Sequence, residues 1–334
     1  MTQVALVQCP DYDTTRVSDA LDRALEPFGG LLGAGGFNKS ISAGSRVLVK
    51  PNFLRAAPAE RAVSPHPELV RALCTRLLDL GAVVRIGDSP AFGTARGVAR
   101  ATGILDVAKG LGVPVVELRN PGQVITAGPK PLRLQIDREV LDSDAVINLC
   151  KLKNHQQMGM TGAVKNLFGC ITGKRKPVWH LRLGDHRNDF AEMLIEVYRN
   201  IGPVVSICDG ILAMEGNGPG EGDPRSLGIL LAAEDGVAMD VVSAQVVGHP
   251  LDELRILGAA RDLQVGCWNP DNIDVVGDCT VDAVQVHDWR PADPLPIFFN
   301  PARVAWSTAK QVGLMARMRL APGANKGPKA SAGA

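Results

Sequence analysis

The chain has 334 residues, of which 46% are apolar and 21% charged, and its formal net charge is +1. That length supports a sizeable buried core, and that balance excludes a disordered or fibrous chain. Near-neutral charge and 4% aromatic residues also argue against a nucleic-acid coat, which needs a basic field and stacking rings.

The stretch through Cys9 lacks the basic and apolar regions of a signal peptide, and no run reaches the roughly 20 apolar residues of a membrane helix. A cytoplasmic location with no membrane span is therefore the expectation. Short runs rich in Val, Ile and Leu recur at residues 4–7, 47–49, 83–86, 145–149, 204–208, 227–231 and 273–276. Continuous apolar runs of this length suit strands buried on both faces. Residues 67–81 open on Pro67 and Glu68 and close on Gly81, the start and stop signals of a helix, and 189–201 and 237–247 read similarly.

This alternation predicts an α/β fold, a mostly parallel or mixed sheet flanked by helices over residues 1–320, either as one body or as two lobes with a cleft. A glycine-rich surface insertion is expected at 27–46, without nucleotide-binding spacing. Residues 302–320, with Trp306, Leu314, Met315 and Met318, form an expected amphipathic helix that docks on the body or builds a homodimer. The tail at 321–334 is expected to be disordered. The seven cysteines have no C-x-x-C spacing, so no disulfide framework and no intrinsic iron–sulfur motif is written here, and most are expected to be buried small hydrophobes.

In open α/β sheets ligands sit beyond the carboxyl ends of strands, so the polar residues following each run carry the functional signal. They are Lys50-Pro-Asn52, Gly87-Asp88-Ser89, Lys151-Leu-Lys153-Asn-His155, Asp209-Gly210 with Glu215, and Glu234-Asp235 with Asp240. Charge is partitioned along the chain. Residues 151–187 hold eight Lys or Arg against one acid, while 209–240 hold seven acids against one Arg. A basic rim with histidines suits an anionic small molecule bearing carboxylate or phosphate. Thr161-Gly162 before Ala-Val-Lys165-Asn166 reads as a loop entering a helix, whose free N–H groups hold an anion.

Candidate substrate-binding residues are thus Lys50, Asn52, Asp88, Lys151, Lys153, Thr161, Gly162 and Asn166. His155, Lys165 and His180 are the candidate catalytic groups. His155 and His180 serve either as acids and bases or, with Asp209 and Glu215, as ligands of a divalent metal. Asp88 and Asp235 taken singly read equally well as helix or turn caps.

These motifs, together with His66-Pro67 and Thr161-Gly-Ala-Val-Lys-Asn-Leu-Phe-Gly169, resemble the DUF362 family, a domain of unknown function. Many of its members carry a ferredoxin-like module with two four-cysteine clusters, which is absent from this chain. The order His155, Thr161-Gly162, Lys165, His180 also resembles the nickel-pincer lactate racemases. That resemblance implies a lysine contacting a nickel-type cofactor, with the histidines as base or ligand. The resulting expectation is an enzyme moving a proton or hydride on an anionic small molecule, as an isomerase or oxidoreductase. Its rivals are an electron-transfer or cofactor-maturation protein with a separate iron–sulfur partner, and a non-catalytic binder of an anionic metabolite.

Overall fold

The computed structural model describes residues 1–30, 41–127, 131–172, 176–184, 188–201 and 204–297. Most of the glycine-rich insertion, the 302–320 helix and the tail lie outside the described residues. The first half of the chain forms β1 (Thr2–Gln8), α1 (Thr14–Leu25), β2 (Arg46–Pro51), α2 (Pro67–Asp79), β3 (Val83–Asp88), α3 (Ala95–Thr102), α4 (Ile104–Gly110) and β4 (Val115–Glu117). A hairpin of β5 (Pro121–Ile125) and β6 (Arg133–Asp137) leads through α5 (Arg138–Leu141) to β7 (Ala145–His155), β8 (Gly159–Thr161) and α6 (Ala163–Asn166). Then follow α7 (Lys176–Leu183), α8 (Asp189–Arg199), β9 (Val204–Glu215), β10 (Asp223–Ala233), α9 (Gly236–Val246), α10 (Arg255–Leu263), β11 (Ile273–Gly277) and α11 (Val281–Val284).

Every apolar run predicted as a strand lies inside one, and the three predicted helices are α2, α8 and α9. One nine-stranded sheet, ordered β11-β1-β10-β9-β7-β2-β3-β4 with β8 paired to β7, carries the fold; the other sheet is the β5–β6 hairpin. One main sheet thus organises the described residues. Strands β9, β7, β2, β3 and β4 pair in parallel. Helices α1 to α4 cover one face, packing on Val47, Val49, Ile147 and Leu149. Helices α6 and α8 to α10 cover the other, packing on Leu48, Val146, Cys150 and Leu152. Alternating residues of one strand thus feed two separate apolar layers.

From β2 the chain winds outward to β3 and β4, then crosses back so that β7 and β9 lie on β2's other side. The strand order reverses between β2 and β7. Beyond the carboxyl ends at such a point a crevice opens between diverging connections.

Strand β10 is antiparallel to both neighbours. Its carboxyl end, with Glu234 and Asp235, therefore lies at the opposite rim from the ends of β7 and β9. The acids that follow the 227–231 run therefore stand apart from the ionisable groups at the ends of β7 and β9. Asp235 instead caps α9, accepting from the backbone N–H groups of Val237, Ala238 and Cys267. Asp235→Ala is expected to cost about 1 kcal/mol or somewhat more, lowering the melting temperature by roughly 2–4 °C per kcal/mol. Asp235→Asn should retain most of that stability; an unchanged melting temperature in the alanine variant would contradict the cap.

Candidate active site

Strand β7 is buried along all eleven of its residues, yet it ends in Lys151, Lys153 and His155. Its neighbour β2 ends in Lys50 and Pro51. Lys50, Lys151 and Lys153 are each 1% exposed or less, an unusual position for an ammonium group unless partners replace its water.

Lys50 finds them at the carboxyl ends of β2 and β7. Its Nζ lies 3.0 Å from Asp88 Oδ1 and donates to the Pro51 carbonyl at 2.9 Å and to Asn166 Oδ1 at 3.2 Å. Asp88 also accepts from the N–H groups of Phe53 and Ser89, each at 2.7 Å. Around this pair runs a chain of side-chain amides. Asn148 Nδ2 donates to the Ala163 carbonyl (2.9 Å), Asn166 Nδ2 to Asn148 Oδ1 (2.8 Å), and Asn52 Nδ2 to Asn166 Oδ1 (2.8 Å). A carbonyl only accepts, so the direction of the whole chain is fixed. It ends on Asn52 Oδ1, a buried acceptor with no hydrogen-bond partner among the described residues. Gly169 is part of the same packing, since a Cβ there would overlap Asp88 and Lys50.

The N-terminus of α6 already holds an anion, and it belongs to the chain. Asp240 on α9 accepts from Ala163 N at 2.5 Å and from Val164 N at 3.2 Å. A Cβ on Gly162 would overlap that carboxylate, which is why glycine stands there. Burial raises the Asp240 carboxyl to about 7, against the lowering effect of the two N–H donors. The helix end expected to bind substrate therefore serves an internal carboxylate. Thr161, 3% exposed, leaves its Oγ1 without a partner among the described residues.

On the other face of the sheet, Lys151 donates to Asp209 Oδ2 (2.8 Å) and to Tyr12 Oη (2.9 Å). Tyr12 donates in turn to Asp209 Oδ1 at 2.8 Å, and its ring stacks on His66 at 3.7 Å between centroids. His66 also gives Asp209 its backbone N–H. Desolvation, then the Asp209 charge, raises the Tyr12 phenol far above its usual range, so this group is a structural donor. Glu215 is held by the Arg290 guanidinium at 2.8 Å and by the Arg290 N–H.

Asp209 and Glu215 thus each have a cationic partner. Among the described residues no group of three or more His, Cys, Asp or Glu is arranged to hold a metal ion. The four-residue metal set expected from sequence is not assembled by these side chains.

Of the three expected catalytic residues, Lys165 and His180 both lie against the Phe168 ring. His155, Lys165 and His180 influence one another electrostatically, with Lys153 in the same group. Lys165 makes no hydrogen bond or ion pair among the described residues. Its Nζ sits 4.8 Å over the Phe168 ring, and Lys176 Nζ lies 5.8 Å from the same ring. Burial, then the Lys176 and Lys50 charges, lowers Lys165 to about 7. Lys176, which donates to the Ser89 carbonyl, is lowered to about 8, first by burial. Lys153 donates to the Val63 carbonyl at 2.6 Å and has no carboxylate partner among the described residues. Burial and the Lys151 and Lys165 charges push it well below the usual lysine range.

His155 and His180 are both kept neutral by burial, His180 down to about 3. Their ring nitrogens are used differently. The Gln157 N–H donates to His155 Nδ1 at 3.1 Å, which puts the His155 proton on Nε2. His180 Nδ1 lies 3.2 Å from the Ile297 carbonyl, so there the proton is on Nδ1.

Sequence reading missed Lys176 and Phe168 as parts of this site, and Tyr12 and Gln157 as partners. Asp240 carried a visible signal, an acid within a helix whose other residues are almost all apolar. Tyr12 carried none, because its contact with Asp209 spans the chain.

A model of DUF362, a domain of unknown function, matches residues 47–245. A thylakoid-associated protein of Synechocystis sp. is 40% identical over 309 residues, which cover 92% of this chain and 93% of that protein. Among solved structures, the lactate racemase apoprotein from Thermoanaerobacterium thermosaccharolyticum aligns with a TM-score of 0.44 at 13% identity. The alignment covers 75% of this chain and 57% of that one, so the chain spans little more than half of that protein's length. Among the described residues no helix is long and apolar enough to cross a membrane.

The crowded ammonium groups predict a pH dependence of stability. Between about 7 and the ordinary lysine value of 10.5 the unfolded chain keeps a proton that folded Lys165 has lost. Stability is therefore lowest at and below neutral pH from this source, and rises through that window. Lys165→Met is expected to raise the urea midpoint at neutral pH and to flatten its rise towards alkaline pH. A midpoint lowered at neutral pH would contradict this.

Proposed function

We infer that this chain, which belongs to the DUF362 family, is an enzyme that moves a proton on a small anionic molecule bound beside Lys165. The observation that carries this reading is the Lys165 ammonium, which has no hydrogen bond or ion pair among the described residues and sits over Phe168 with Lys176 against the same ring. Crowding desolvated cations that have no ion-pair partner is costly, and an incoming oxyanion would relieve Lys165 and Lys153 together. Lys165 and Lys153 would take the anionic group. Asn52 Oδ1 and Thr161 Oγ1, buried and without partners among the described residues, are available to its neighbouring polar atoms. Lys50, Asp88 and Asn166 would hold Asn52 in place, and Lys151 with Asp209 would fix the end of β7.

The two neutral histidines supply the proton chemistry. His155 presents an N–H at Nε2 and His180 carries its lone pair there, a donor and an acceptor of the kind that proton transfer beside a carboxylate requires. An anion bound next to them would offset the desolvation and the Lys165 charge that now depress both rings.

The test is solvent-deuterium incorporation into a panel of small carboxylates and phosphorylated acids, followed by proton NMR in deuterium oxide. Exchange is expected with at least one member, slowed about 100-fold or more in His155→Gln and in Lys165→Met. The apparent kcat/KM should fall as pH rises above about 7, where free Lys165 loses its charge, and Lys165→Met should lack that limb. Binding that depends on Lys165 without exchange in any panel member would reduce the protein to a binder.

A further inference from the structure

We propose that Gln157 is a positioning residue that holds the two histidines of the site in opposite ring tautomers, a proposal that rests on reading this site as a proton-transfer centre. Gln157 lies in the turn after β7, where it touches the His155 ring directly and the carbonyl that His180 uses through its side chain. Its backbone N–H donates to His155 Nδ1 at 3.1 Å. Its side-chain Nε2 donates to the carbonyls of Pro296 (2.8 Å) and Ile297 (3.2 Å). The Ile297 carbonyl also accepts from His180 Nδ1 at 3.2 Å. One carbonyl oxygen, with two lone pairs, therefore receives the Gln157 amide and the His180 ring together.

The carbonyl is brought there by a segment without regular structure that follows α11 and crosses the ends of β7 and β9. Trp289 Nε1 donates to Asn154 Oδ1 at 2.8 Å, and Asn154 Nδ2 donates to the Arg290 carbonyl at 2.7 Å. Arg290 pairs with Glu215 and Asp223 at 2.8 and 2.9 Å. Leu295 N donates to the Gln156 carbonyl at 2.7 Å. Gln157 makes the last of these contacts, next to the carbonyl that His180 uses. Two carbonyl acceptors fix the orientation of its amide, so a carboxylate in its place would meet only oxygens. The consequence is asymmetric. Loss of the side chain leaves the backbone donor to His155 intact and frees the acceptor of His180.

The experiment is long-range proton–nitrogen NMR on the full chain labelled with ¹⁵N-histidine, with His155 and His180 assigned from their glutamine variants. In the wild-type protein His155 should be protonated on Nε2 alone and His180 on Nδ1 alone. In Gln157→Ala and Gln157→Glu the His155 signals should stay in place, while His180 should shift to an average of both tautomers. Deuterium exchange on the substrate should slow about tenfold or more with KM little changed. Unchanged His180 signals in both variants, or one shared tautomer in the wild-type protein, would overturn the proposal. The expected tautomer pattern in a protein that exchanges no proton on any substrate would uphold the coupling and defeat the proton-transfer reading instead.

Discussion

A strand buried over its whole length can carry ammonium groups only where protein atoms replace the water those groups have lost. In this fold that constraint falls on the ends of β2 and β7, where Lys50, Lys151 and Lys153 are as buried as the surrounding leucines. An unpaired buried charge is costly enough that its surroundings must be built around it. Lys50 accordingly fixes Asp88, Asn166 and the approach of Gly169. Lys151 fixes Asp209, and through it Tyr12 and the start of α2 at His66. Much of the polar sequence at this rim is the consequence of burying two ion pairs on opposite faces of one sheet.

What remains after those pairs are counted is the centre of the account. The α6 N-terminus, the most obvious anion site in the sequence, is closed by Asp240. Glu215 is closed by Arg290. Among the described residues Lys165 and Lys153 stand outside these ion pairs, and their charges act on the two histidines. The pairing of some cations makes the lack of pairing of the others informative. A surface patch of lysines is ordinary, whereas a largely desolvated cluster with no ion pair of its own among the described residues stores electrostatic free energy that an anionic ligand can release.

The layered fold was legible because runs such as 145–149 and 204–208 are apolar without alternation, as strands covered on both faces must be. The reversal of β10 was not, because its run 227–231 reads the same in either direction; the reversal moved Asp235 from the expected rim to a helix cap. The true length of β7 was also hidden. Lys151 and Lys153 look like the start of a loop, and only their burial by partners distant in sequence shows them to be strand residues. His155, Lys165 and His180 stand close in the chain, which makes them candidates for one site. The pairing of Lys151 with Tyr12 and the fixing of His180 by Ile297 depend on contacts more than a hundred residues apart, which no local pattern encodes.

The claim at the heart of this account is that Lys165 is a desolvated ammonium awaiting an anion. It is tested most directly by following the Lys165 Nζ signal through a pH titration in protein labelled with ¹⁵N-lysine, assigned with Lys165→Met. The account predicts titration near 7 in the free protein and a move upward when a small oxyanion such as inorganic phosphate binds. Titration at the ordinary lysine value of 10.5 in the free protein would contradict it.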